Sequence, residues 1–188
     1  MGIIENEKDI IQLVENDPWV MKVLLTVRRL ELPDWWVCAG FVRSKIWDIL
    51  HGYETRTPME DVDVIYFDPS NVNEQEEKKL EQQLGELNPN IPWSVKNQAR
   101  MHHINGLPPY RSSEEGISKF PETVTALGLK VNVNEEVVLT APHGIEDVLR
   151  MEVHPTPLFK EGKLKDVYIK RVTTKKWKEA WPMVKISY

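Results

Sequence analysis

The sequence predicts an α/β fold of the α+β kind, a mixed β-sheet flanked by helices. Three observations carry this expectation. Strand-like and helix-like periodicities alternate from Trp35 to Ala99 in the order strand, helix, strand, helix, strand, the pattern of a sheet with helical connections. The run Asp61–Asp68 carries Val62, Val64 and Tyr66 on one face and Ile65 and Phe67 on the other, so both faces are apolar and the strand is central rather than an exposed edge. At 188 residues, 41% hydrophobic and 28% charged, the chain can bury one sizeable core and is ordinary in composition for a globular protein.

The elements follow in order. Ile10, Ile11, Leu13 and Val14 form one helical stripe, and Asp17-Pro18 supplies an N-cap and an N1 proline for a second helix through about Leu30. Pro33-Asp34 ends it, and Trp35–Cys38 reads as a short strand. Gly40 turns the chain into a helix on which Val42, Ile46, Ile49 and Leu50 recur at helical spacing. His51–Glu60 is a polar loop leading into the Asp61 strand, which Asp68-Pro69-Ser70 stops. Val72–Leu87 is a charged helix with Leu80, Leu84 and Leu87 on its inner face and a solvated acidic outer face. After Asn88-Pro89-Asn90, Trp93–Ala99 resumes as a strand. Met101–Lys119 is irregular and long enough to cover a binding site. Thr123–Leu127 reads as helical, Gly128–Val133 and Val137–Thr140 as a hairpin, and Gly144–Val153 as a short helix closed by Pro155 and Pro157. A basic amphipathic helical segment over 171–181 ends at Pro182. With no linker in view, residues 1–188 read as a single domain whose N-terminal helices occupy 5–30.

Composition excludes several classes. A net charge of −5 argues against a protein that coats nucleic acid. The single cysteine, Cys38, leaves no intrachain disulfide partner and makes a thiolate zinc site improbable; its apolar surroundings predict a packed thiol. The segment Met1–Asp9 lacks the basic and apolar regions of a signal peptide, and no stretch approaches a membrane span of roughly 18 apolar residues. The expectation is a cytoplasmic protein with no membrane partner.

Asp61 and Asp63 carry the chemistry. Asp is depleted in strands, and residues at i and i+2 leave a strand on one face. Their Cα atoms then lie roughly 6.5–7 Å apart, from about 3.3 Å rise per residue. At that separation two full charges repel by on the order of 2–3 kcal/mol at an effective dielectric near 20. Such a pair calls for a cation: one Mg²⁺ held between two carboxylates, or two ions bridged as in metal-assisted phosphoryl transfer. The plain alternative is a solvated strand start. Gly40-Phe41-Val42-Arg43 is the second constellation: a glycine at a strand–helix turn lets backbone approach a phosphate, and Arg43 adds a fork of donors in the first turn. Lys96, Gln98 and Arg100 alternate, so on a strand they share a face toward phosphates or an acceptor. His102 and His103, adjacent on extended chain, point apart and make no joint metal site. Glu146 and Asp147 suit the first turn of a helix.

Gly40 followed by Asp61-Val62-Asp63 resembles the glycine and Asp-x-Asp signature of the polymerase-β-type nucleotidyltransferase superfamily. More closely, Cys38–Asp48, Asp61–Asp68, Trp93–His102 and Ala141–Asp147 together resemble a bacterial family of nucleotidyltransferase-like proteins, with the Lys96-Asn97-Gln98-Ala99-Arg100 block the most family-specific. The resemblance implies a nucleotidyltransferase-like mixed sheet, catalytic Asp61 and Asp63 as ligands of Mg²⁺ or Mn²⁺, and Gly40 beside the triphosphate of an NTP. Phe41, Arg43, Lys96 and Asn97 complete the implied nucleotide-binding set. The implied reaction moves a nucleoside monophosphate from an NTP to an undefined acceptor. Two residues depart from the family's pattern: Phe41 replaces a small residue after the glycine, and Asn97 stands where a following strand offers a third carboxylate. A non-catalytic nucleotide-binding or regulatory module is therefore the second reading, and a metal-dependent phosphohydrolase the third.

Overall fold

The computed structural model describes residues 4–188; Met1-Gly2-Ile3, at the head of the segment read above for a signal peptide, lie outside the described residues. Helix α1 (Glu7–Glu15) starts from a capping box in which Asn6 and Asp9 each accept from the other's backbone. Helix α2 (Pro18–Arg28) starts from Asp17, whose carboxylate accepts from the backbone N–H groups of Trp19 and Val20. Strand β1 (Trp36–Cys38), helix α3 (Gly40–Leu50), strand β2 (Val62–Tyr66), helix α4 (Glu74–Leu87) and strand β3 (Trp93–Asn97) follow in the expected alternation. Strands β4 (Gly128–Val131) and β5 (Val137–Thr140) form the expected hairpin.

The five strands pair in the order β3-β2-β1-β4-β5, with β2 and β3 parallel and the other pairs antiparallel. The sheet is therefore mixed, and β2 is flanked on both sides. Its two faces bury different clusters. Val37, Val62, Val64, Tyr66, Val95 and Leu129 join the large core, where α1 packs on β5, α2 on β4 and α4 on β3. Trp36, Cys38 and Ile65 face a smaller cluster with Ala39, Ile117 and Ala126. The Cys38 thiol is fully buried there, and burial beside Asp63 and Asp61 pushes its pKa well up, which keeps it an inert packed thiol.

Four segments differ from the sequence-based expectation. Strand β3 ends at Asn97, whose side chain caps helix α5 (Gln98–Met101) by accepting from the Ala99 N–H. Gln98 and Arg100 therefore sit on a helix, and the shared strand face predicted for them with Lys96 does not form. The irregular stretch contains helix α6 (Ser113–Ser118), capped by Ser112. Thr123–Leu127 is turn and extended chain rather than helix, tied to its surroundings by the buried Glu122. Helix α7 is shorter than expected (Glu146–Arg150), because Met151 adopts a left-handed conformation and the chain continues into β6 (Glu152–Val153).

At the C-terminal side, helix α8 spans Gly162–Thr174 and the short α9 spans Trp177–Ala180. Lys176, left-handed at φ 50°, separates them, so the basic run over 171–181 is two helical pieces meeting at a corner. Strand β7 (Lys185–Ile186) pairs with β6. This segment is fastened to α3 by Trp47, which is fully buried, packs edge-on to Trp177 and Trp181, and donates from Nε1 to the Val148 carbonyl. Among the described residues no helix is long and apolar enough to cross a membrane.

Candidate functional site

The antiparallel pairing of β1 with β2 brings the two sequence motifs together. Cys38 lies opposite Asp63, so the carboxyl end of β1, where the chain turns into α3, stands beside the amino end of β2. That is the end of a strand at which open sheets place ligands. Asp61 precedes β2 and is exposed; Asp63 lies within the strand and is partly buried. A cavity of ≈ 310 Å³ opens here, with Gly40, Arg43, Asp61, Asp63 and Lys175 in its wall.

The α3 terminus is unusual. Ala39, the N-cap residue, has φ 57° and ψ −122°, a strained conformation for an L-residue with a side chain, and no side chain caps the helix. The first N–H groups of α3 thus carry the helix's positive end toward the cavity without a protein acceptor from a capping side chain. Arg43, one turn in, is only 8% exposed. Its Nη2 donates to Ser44 Oγ at 3.1 Å, while its buried Nε has no partner. The guanidinium sits 5.1, 4.9 and 5.2 Å from the ring centroids of Trp47, Trp177 and Trp181. Burial lowers its pKa to about 10, partly offset by the charge of Glu122, and it stays protonated at neutral pH. Among the described residues no carboxylate lies within ion-pair distance of this buried cation, which three aromatic faces surround.

Asp63 shows the complementary deficit. Burial, and then the adjacent Asp61, raise its pKa to about 6; Arg171 and a hydrogen bond from Ser94 pull the other way. A carboxyl with a folded pKa above its unfolded value holds more protons folded than unfolded, so stability falls as pH rises through that interval. We expect the metal-free protein to melt at lower temperature near pH 7 than near pH 5 by calorimetry, and Mg²⁺ to restore stability mainly at the higher pH. An unchanged melting temperature across that window would show that Asp63 is already compensated.

Mg²⁺ fits this donor set: two hard carboxylate oxygen donors in an open cleft leave coordination positions for water and substrate phosphates, as this ion prefers. Asp61 and Asp63 are the residues that could hold it. Among the described residues no group of three His, Cys, Asp or Glu side chains converges as a metal cage.

The other sequence candidates are dispersed. Phe41 is 2% exposed and packs against Trp19 at 5.8 Å between ring centroids, so it belongs to the core and not to the cavity. Asn97 is also buried. It donates to the carbonyls of Asp68 and Asn71 and accepts from the N–H groups of Asp68 and Ala99, so it ties a turn and caps α5. The β3 residue opposite Asp63 is Ser94, while Asn97 lies opposite Tyr66. Lys96 lines a neighbouring cavity and pairs with Glu77 at 3.4 Å. Asp68 and Glu146 line neither cavity. His102 and His103 lie on a 3-10 turn that brings their rings to 3.8 Å between centroids, unlike the extended geometry expected of them.

Sequence reading missed two residues. Glu122, with no exposed surface, accepts from Thr125 Oγ1 at 2.7 Å and from Arg171 Nε at 2.6 Å. That pair holds the Arg171 guanidinium against both cavities, opposite Asp63. The only local signal was an acid after Phe120-Pro121 in an otherwise uncharged run, which does not name its partner on a distant helix.

Fold and cleft together set the uncapped start of α3 and the buried Arg43 on one cavity with a carboxylate pair of a mixed sheet. The chain belongs to a nucleotidyltransferase family, whose model matches residues 25–186. A solved structure described as revealing a CCA-adding enzyme head domain is 35% identical, with a TM-score of 0.88 over 99% of each chain. The Thermotoga maritima CCA-adding enzyme complexed with tRNA gives 12% identity and a TM-score of 0.56, and a CCA-adding enzyme with CTP gives 12% and 0.58. The last two show the fold alone, and this chain, fully aligned, spans 44% of each of them. Among curated proteins none matches the chain.

Proposed function

We propose that this protein is a cytoplasmic, Mg²⁺-dependent nucleotidyltransferase that moves a nucleoside monophosphate from an NTP to an acceptor. The observation that carries the reading is one cavity lined together by an uncapped helix terminus, the buried Arg43 and Asp61 with Asp63. Family membership supports nucleotidyl transfer in general terms, and CCA-adding enzymes of the same fold have been solved with CTP and with ATP.

In this reading the α3 N–H groups and Arg43 bind the outer phosphates. The tryptophans around Arg43 exclude water from the guanidinium, which strengthens its hold on an anion. Bound between Asp61 and Asp63, Mg²⁺ would neutralise charge building on the phosphates. Arg171, fixed by Glu122, offers a second cation on the far side of Asp63. Lys175, paired with Glu60 at 2.9 Å, closes the rim and can exchange that partner for phosphate.

One observation favours the non-catalytic alternative: no third carboxylate joins Asp61 and Asp63 among the described residues. Calorimetric titration of each NTP with and without Mg²⁺ tests the binding claim. Binding that depends on Mg²⁺ and weakens about 10–100-fold in Arg43→Gln is expected from loss of a charge-assisted bond. Binding indifferent to both refutes the site. Pyrophosphate release then marks a transferase, orthophosphate release a hydrolase, and neither a binding module.

A further inference from the structure

A second cavity of ≈ 410 Å³ shares Ala39, Asp63, Thr125 and Arg171 with the first, so the two meet at Asp63. Its remaining wall is of different material. Ile65, Tyr110, Phe120 and Phe159 make it largely apolar, with Lys96 and Lys119 set among them. Lys96 and Arg171 already have carboxylate partners, whereas Lys119 makes no ion pair among the described residues. The volume suits one small molecule, and a mostly apolar wall with a few convergent charged groups is the ordinary composition of a ligand pocket.

In-line displacement at phosphorus requires the attacking and leaving oxygens on opposite sides. A triphosphate gripped by α3 and Arg43 delivers its leaving pyrophosphate into the first cavity. The attacking oxygen must then arrive across Asp63, from the second. We propose that the second cavity is the acceptor site and takes a small hydroxyl compound that combines a planar apolar ring with an anionic group. The inference rests on the nucleotidyl-transfer reading of the first cavity. The ring lies against Tyr110, Phe120 and Phe159, the anionic group meets Lys119, and the hydroxyl reaches the Asp63 end. There the hydroxyl oxygen bonds to the α-phosphorus while the bond from that phosphorus to the bridging oxygen breaks. Pyrophosphate leaves with the electron pair, and the hydroxyl proton passes to water.

The test uses the full chain and amide NMR, with 1-naphthyl phosphate as the probe. It is expected to shift the amides of Ile65, Tyr110, Lys119 and Phe120. The ring alone (1-naphthol) and the anion alone (glycerol 3-phosphate) are expected to bind about tenfold or more weakly by comparison, from loss of one charge-assisted contact or of the ring burial. Lys119→Gln should weaken the probe to a similar degree while leaving Mg²⁺–NTP affinity as it was. Naphthyl phosphate that shifts only Gly40 and Ser44, or equal binding of all three probes, would overturn the acceptor assignment. So would an NTP that itself shifts Tyr110 and Phe120, because the cavity would then house the nucleobase. The NTP titration is read separately: its failure removes the functional reading, while failure of the naphthyl phosphate titration alone removes only the acceptor site.

Discussion

The double variant Asp61→Asn/Asp63→Asn is expected to lose Mg²⁺-dependent nucleotide binding, and any nucleotidyl transfer should fall by on the order of 10²–10³-fold or more, the scale of losing one preorganised electrostatic group. The two side chains keep nearly the same shape but no longer carry charge, so the fold gives no reason for the variant to unfold. Stability should move the other way. The Asp63 carboxyl, whose pKa is raised to about 6, is held ionised at neutral pH against burial and against Asp61, and the neutral amide removes that opposition. A variant that binds no Mg²⁺–NTP yet melts at or above the wild-type temperature without metal would mark a site maintained against the preference of the fold. Retained metal-dependent binding would remove these residues from the metal-holding role.

The second large effect is structural. Glu77→Ala should destabilise the protein by about 3–5 kcal/mol, the cost typical of breaking a buried charged pair by removing one partner. Glu77 has no exposed surface, and its two oxygens take Arg100 Nε and Nη2 at 2.6 Å each, with the Asn97 N–H at 2.9 Å. These bonds, with Lys96, hold its pKa below the usual carboxylate value although burial opposes them. Removing it leaves the Asn97 backbone donor without its partner and the Arg100 guanidinium with only Glu74, at 3.4 Å, where α4 crosses the end of β3. Urea unfolding that shifts in midpoint without a change in slope would report this; a loss below about 1 kcal/mol would mean that water satisfies Arg100 as well as Glu77 does.

Glu77 also shows why the sequence was only partly legible. Grouped with Glu74, Glu76 and Glu81 it reads as one acid among several on a solvated face, yet it lies on the stripe of Leu80 and Leu84; helical spacing turns it inward but does not name Arg100, beyond the next strand, as its partner. Asn97 misleads for a related reason. It lies in a strand-like run, but its side chain captures the Ala99 N–H and the loop at Asp68–Asn71, converting the last strand residue into a cap. Periodicity gave the alternation of β1, α3, β2, α4 and β3 because each is long or apolar enough to declare its period. Register was invisible to it, and register decides that Ser94, not Asn97, faces Asp63. The Asp61 and Asp63 pair and Gly40 with Arg43 stood out as candidates because each is compact in sequence, and the fold puts them on one cavity. Glu122 and Arg171 could not, since neither breaks a local rule strongly enough to reveal the other.

The cage around Arg43 has a consequence for the order in which the molecule comes into being. Both aspartates, the strained turn at Ala39 and the arginine itself are synthesised by residue 63, but Trp177 and Trp181 emerge from the ribosome more than a hundred residues later. Until they dock on Trp47, the guanidinium lacks two of its three aromatic faces and stays hydrated. A nascent chain that stops short of Trp177 therefore carries Asp61, Asp63 and Arg43 without the aromatic cage, and the proposed anion site is incomplete until that segment is made.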